Sequence, residues 1–126
     1  MNLYTSYFDN PKPVPYPVAI SLDVPSGFRG RRYSKLAPTP DLEDAYKRKD
    51  INEDRYVDLF LELLQSRRLT PDNVIQDLPY SCTLMCKEKP YQFCHRHIVA
   101  KWIYEGTGIE VVEYGVAFLR GGLGIT

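Results

Sequence analysis

The sequence predicts an α/β fold, a three-layer arrangement of about four mainly parallel strands with helices on both faces. Three observations predict it. Apolar runs of strand length alternate with segments of helical period along the chain. The helical segments carry recognisable caps. Val18–Val24 and Ser81–Cys86 are nearly continuous apolar stretches, as expected of strands buried on both faces.

Leu3-Tyr4-Thr5-Ser6-Tyr7-Phe8 is β-branched and aromatic and reads as the first strand, ended by Asp9-Asn10-Pro11. From Pro11 to Pro17 every second residue is proline, which removes backbone donors and favours an extended, ordered loop. Val18 to Val24 is a second strand, closed by Pro25. The link between the two strands is too short for a helical crossover, so they are non-adjacent, antiparallel or joined by an extended crossing. Residues 26–35 follow as a loop with four basic residues, two glycines, two aromatics and no acid.

Helices come next. Thr39 caps a helix with Pro40 at its first position and acids in its first turn, running to about Lys49. Asn52 caps the next, whose apolar positions from Tyr56 to Leu64 fall near helical spacing, with Arg67 and Arg68 at its negative end. Thr70-Pro71-Asp72 opens a third that ends by Pro79. Ser81–Cys86 is a strand, Cys94–Glu105 a helix stopped by Gly106 or Gly108, and Ile109–Tyr114 a last strand. One α/β domain is expected over residues 1–114, with a glycine-rich tail over 115–126.

Composition narrows the function. The 126 residues are 44% hydrophobic and 25% charged, the values of an ordinary globular domain. Sixteen basic side chains balance sixteen acidic ones, which excludes a generic polyanion coat and leaves only local patches for nucleic acid. No apolar run has membrane-spanning length and no leader pattern opens the chain, so a cytoplasmic protein with no membrane partner is expected. The three cysteines are then expected as reduced thiols.

In an open α/β sheet, ligands bind beyond the strands' carboxyl ends. The loops there would be 7–10, 26–35 and 88–96. The last joins a strand to a helix start, where free N–H groups and the helix dipole favour an anion. Lys89 and Arg96 would add charge to it. Cys94 is a candidate nucleophile, its thiolate favoured at the helix start, with His95 a candidate base and Glu88 a candidate acid or base. Arg29, Arg31 and Arg32 would neutralise a phosphate, and Tyr7, Phe28 or Tyr33 would stack on a base or sugar. Cys82 and Cys86 read as core thiols, and His97 as solvent-facing. Three cysteines and two histidines in residues 82–97 are the residue types of a zinc site. Cys82 and Cys86 would stand ~13 Å apart on a strand, and no C-x-x-C pair is present. One ion would have to use Cys86, Cys94, His95 or His97 with a distant partner, so neither metal nor cofactor is expected.

Tyr4-Thr5-Ser6-Tyr7-Phe8, then Gly30-Arg31-Arg32-Tyr33 with Leu36-Ala37-Pro38, then Cys86-Lys87-Glu88-Lys89 with Cys94-His95-Arg96, resemble the domain-of-unknown-function 488 family over about residues 3 to 114. The C-x-E-K and C-H-R pieces are the specific part. The resemblance implies a parallel-type α/β sheet and a site lined by Glu88, Cys94, His95 and Arg96, with the loop arginines opposite. It implies no known reaction. The proline-rich link stands where many relatives have a helix after the first strand. The expected function is binding of a phosphate-bearing small molecule at the strand ends, with action on a nucleotide, nucleoside or nucleic-acid group. The alternative is a non-catalytic module that grips nucleic acid or protein.

Overall fold

A computed structural model describes residues 1–115. The expected tail beyond Gly115 lies outside the described residues. The elements are β1 (Asn2–Tyr7), β2 (Pro17–Ala19), β3 (Arg31–Arg32), α1 (Pro40–Lys47), α2 (Glu53–Ser66), α3 (Pro71–Asp77), β4 (Ser81–Cys86), α4 (His95–Thr107) and β5 (Val111–Glu113). A 3-10 turn, Ser34–Leu36, joins β3 to α1. The five strands form one all-parallel sheet in the order β3-β2-β4-β1-β5. This is the expected α/β class with one strand more than the sequence suggested.

The helix starts form as their caps dictate. Thr39 Oγ1 accepts from Leu42 N, and Asn52 Oδ1 accepts from Arg55 N. Thr70 and Asn73 bond reciprocally in a capping box. Gly108, at φ +78°, ends α4 in the left-handed conformation. Gly106 lies inside that helix, where a Cβ would collide with the Pro71 ring, so its bareness lets α3 and α4 close on each other. Arg67 at the end of α2 donates to the carbonyls of Lys35 and Ala37.

The strands differ more from expectation. β1 and β2 are parallel but not adjacent, because β4 lies between them. The nine residues of the link can reach ~30 Å, enough to return along a six-residue strand of ~20 Å without a helix. Thr83 of β4 fastens the link on its way, its Oγ1 donating to the Pro15 carbonyl and its N–H to that of Tyr16. The second strand is shorter than Val18–Val24. The Ile20 N–H still bonds to Met85, but the Ile20 carbonyl is taken by the His95 ring, and the chain leaves the sheet. The basic loop contains the fifth strand: Arg31 and Arg32 pair with Val18 and Ala19 as an exposed edge, where charge discourages further pairing.

The core gathers Val18, Ile20 and Leu84 from the sheet with Phe60, Leu64, Val74, Val99 and Ile103 from the helices. α4 packs on β1, β4 and β5 and touches α2 and α3. Its first turn therefore stands just beyond the C-terminal end of β4. Among the described residues, no helix is long and apolar enough to cross a membrane.

Candidate functional site

A cavity of about 350 Å³ opens beyond β4, between the β4–α4 loop and helices α1 and α2. The loop contributes Glu88, Phe93 and Cys94, the first residue of α4 contributes His95, and α1 and α2 contribute Glu43, Tyr46 and Tyr56. Tyr46, Tyr56 and Phe93 form an aromatic wall, with ring centroids 5.1 to 5.5 Å apart. Two carboxylates share the space. Glu43 is half-buried, and its pKa is raised by burial first and by the Glu88 charge second. The Tyr56 hydroxyl donates weakly to Glu43 across 3.4 Å. Burial, followed by the Glu43 charge, raises its own pKa, so it stays protonated.

Cys94 is the N-cap of α4, and its sulfur accepts the Arg96 backbone N–H at 3.5 Å. His95 is buried and points in two directions. Its Nε2 bonds the Ile20 carbonyl at 2.6 Å, and a carbonyl only accepts, so that nitrogen carries the proton. Nδ1 is left with a lone pair, 3.8 Å from the Cys94 sulfur. Burial pulls the ring's pKa down to about 4, so the imidazole is neutral at physiological pH.

Cys86, at the end of β4, comes from eight residues away to put its sulfur in bonding contact with Cys94, across a Cα separation of 7.7 Å. This corrects the expectation of separate reduced thiols: helix α4 starts directly over the strand end, and the two side chains meet. Cys82 is the free cysteine, buried, with its thiol pushed up to about 11 by desolvation. Cys86 Sγ, Cys94 Sγ and a His95 nitrogen all lie within 4.8 Å of one another.

The structure brings Glu88, Cys94 and His95 together, and leaves the other sequence-selected residues off the cavity wall. Arg96 is the main correction. It is fully buried, with Nη2 and Nε on the two Glu113 oxygens at 2.9 and 3.3 Å and Nη1 on the Cys86 sulfur at 3.1 Å. Thr5 donates to the same carboxylate at 2.6 Å. The guanidinium is committed inside the fold and offers no free donor face to a ligand. Tyr33 is buried and its hydroxyl donates to Asp77 at 2.6 Å, a partner at the end of α3. Arg31 sits beside the same ring and near Cys82, the second residue of β4, so it lies away from the strand's C-terminal end. Arg29 and Arg32 are exposed, and Phe28 packs edge-on against Phe8. Tyr7 is half-buried and pairs with Cys86 through the sheet. Lys89 is exposed, with its N–H held by Gln92. His97 is half-buried rather than solvent-facing, and its Nε2 has no partner.

The sequence reading missed Glu43, Tyr46, Tyr56 and Glu113. Glu43 read as an ordinary first-turn acid and Tyr56 as one of an apolar stripe. The hydroxyl was the available signal, since a tyrosine on a buried stripe needs a polar partner.

The fold and cavity define a parallel α/β domain that carries a cysteine–histidine–carboxylate constellation at the strand ends. Residues 16–107, more than half of the chain, match the family described as the active DUF488-N3 subclade, and the chain belongs to the DUF488 family. No curated protein and no solved structure matches it.

Proposed function

We propose that the cavity is an active site in which Glu43 and Glu88 act as an acid–base pair on the sugar or base of a nucleoside-type ligand. The raised Glu43 carboxyl facing a second carboxylate carries this reading. A carboxyl whose proton affinity is raised beside a second carboxylate can give and take a proton in one turnover. The wall of Tyr46, Tyr56 and Phe93 supplies flat apolar surface for a planar group. The Cys94 sulfur and the neutral His95 ring form the reactive floor. A phosphate does not suit the cavity itself, where Glu43, Glu53 and Glu88 outnumber Lys47. It suits the adjoining open groove better, where Lys47, Lys49 and Arg55 outnumber Asp50 and Glu53. The nucleoside would enter the cavity with its phosphate at that rim.

The test is a thermal-shift screen with nucleosides, nucleoside monophosphates, inorganic phosphate and short single-stranded DNA at two salt concentrations. A ligand at 100 times its Kd stabilises by about 2.7 kcal/mol. A mononucleotide shift that survives Glu88→Gln, with turnover abolished, supports the reading. A shift given only by DNA and erased by salt supports a binding module instead. Exposed Arg31 and Arg32 on the sheet edge, with exposed Arg29 in the loop before it, favour that second reading.

A further inference from the structure

We infer that Cys86, Cys94 and His95 form a site for a thiophilic divalent cation, zinc above all, at the floor of this cavity. The inference deepens the proposed function by giving that floor its chemistry. It replaces the nucleophile role that the sequence suggested for Cys94.

Four observations converge. The two sulfurs and a His95 ring nitrogen come from the end of β4 and the first turn of α4, and lie within 4.8 Å of one another. One ion at ~2.3 Å from sulfur and ~2.0 Å from nitrogen spans such a group with small side-chain adjustments. The histidine is already in the ligating form. Its Nε2–H is spent on the Ile20 carbonyl, which fixes the tautomer and aims the Nδ1 lone pair at the sulfurs. Metal-bound histidines carry this same outer bond to a carbonyl or carboxylate. The sulfurs have the outer contacts that metal thiolates take, from Arg96 Nη1 to Cys86 and from Arg96 N to Cys94.

The fourth observation is charge. Cys86, Cys94 and His95 are all buried, and the Arg96 charge is already matched by Glu113. Once reduced, the pair can ionise only with a new cation beside it, because a buried thiolate without one costs several kcal/mol. A divalent cation balances both thiolates. The backbone agrees: a Cα separation of 7.7 Å exceeds the usual ~4.4–6.8 Å of a disulfide. Three protein ligands leave one position open, as in catalytic rather than structural zinc sites. Cys94 and His95 line the cavity together with Glu88, so an ion held by them would stand at the cavity floor.

The test uses the full chain, reduced with a non-chelating phosphine, stripped of metal and titrated with Co²⁺ and then Zn²⁺. The expected result is a near-ultraviolet sulfur-to-cobalt charge-transfer band with intense visible bands of a tetrahedral site, bleached by about one zinc per chain. Cys94→Ser and His95→Gln should each weaken cobalt binding by at least ~10-fold, with Cys82→Ser unchanged. If the variants do not fold, the wild type still decides: zinc should slow alkylation of Cys86 and Cys94. Absence of the band, with less than ~0.2 zinc per reduced chain, overturns the inference and leaves a disulfide only. A cobalt spectrum without any nucleotide shift would sink the substrate reading and keep the metal. Nucleotide binding without the spectrum would do the reverse.

Discussion

Two groups of charge gather near the start of α4, and they are built on opposite terms. Arg96, Glu113 and Thr5 are buried and mutually satisfied: each carboxylate oxygen has a donor, and the cation has its anion. Glu43 and Glu88 are two like charges turned toward one cavity, and Glu43 meets only a long bond from Tyr56. The first arrangement holds the fold together. The second is kept at a cost to the fold, as groups held for chemistry commonly are. The contrast teaches that the arginine of the C-H-R element is spent on the fold, while Glu43 and Glu88 are left facing the cavity without a matched cation.

The comparison breaks most visibly at Arg96. Arg96→Ala should destabilise the protein by about 3–5 kcal/mol, read as a fall in the urea midpoint, because Glu113 would remain buried without its cation. A variant as stable as the wild type would remove the structural assignment. The next effect belongs to the other group. Glu88→Gln should lower turnover on a nucleotide found by screening by ~100-fold or more while leaving the urea midpoint nearly unchanged. Thr5→Val sharpens the first side, since it removes one hydroxyl donor from Glu113. The expected loss is about 1–2 kcal/mol, smaller than for Arg96.

The smallest effect is a pH dependence at Glu43. Its folded pKa lies above its unfolded value, so the unfolded chain releases this proton first as pH rises. Its contribution to stability is present below the ordinary carboxylate pKa of 4.5 and is lost as pH rises through the folded value. Glu43→Gln should therefore gain on the wild type in melting temperature at pH 8 compared with pH 4. Parallel melting curves at both pH values would show that Glu43 carries no such burden.

Much of the fold was legible because it is written locally. Thr39, Asn52 and Thr70 each announce a helix within four residues, and the structure places a helix after each. Alternation of strands and helices gave the parallel sheet. Strand order was not legible, because the prolines of residues 11–17 say how the link runs and not what it crosses. Glu88, Cys94 and His95 were found because they are neighbours in sequence at a strand-to-helix junction. Their partners were not: Glu43 comes from α1, Tyr56 from α2, and Glu113 from the far end of the chain. Arg96 was misread for a physical reason. A cation at a helix start suggests an anion site, and only the packing of β5 shows that the anion is Glu113.

The imidazole of His95 has one further consequence. It is the sole tie described between the α4 first turn and the Ile20 carbonyl, where the chain quits the sheet for residues 21–30. The two nitrogens share one π-system, so whatever occupies Nδ1 alters the strength of the N–H on the far side. An event on the sulfur side is thereby felt at a segment 75 residues earlier in sequence. Amide hydrogen exchange at Ile20, whose N–H bonds the Met85 carbonyl, should report the state of the cysteines.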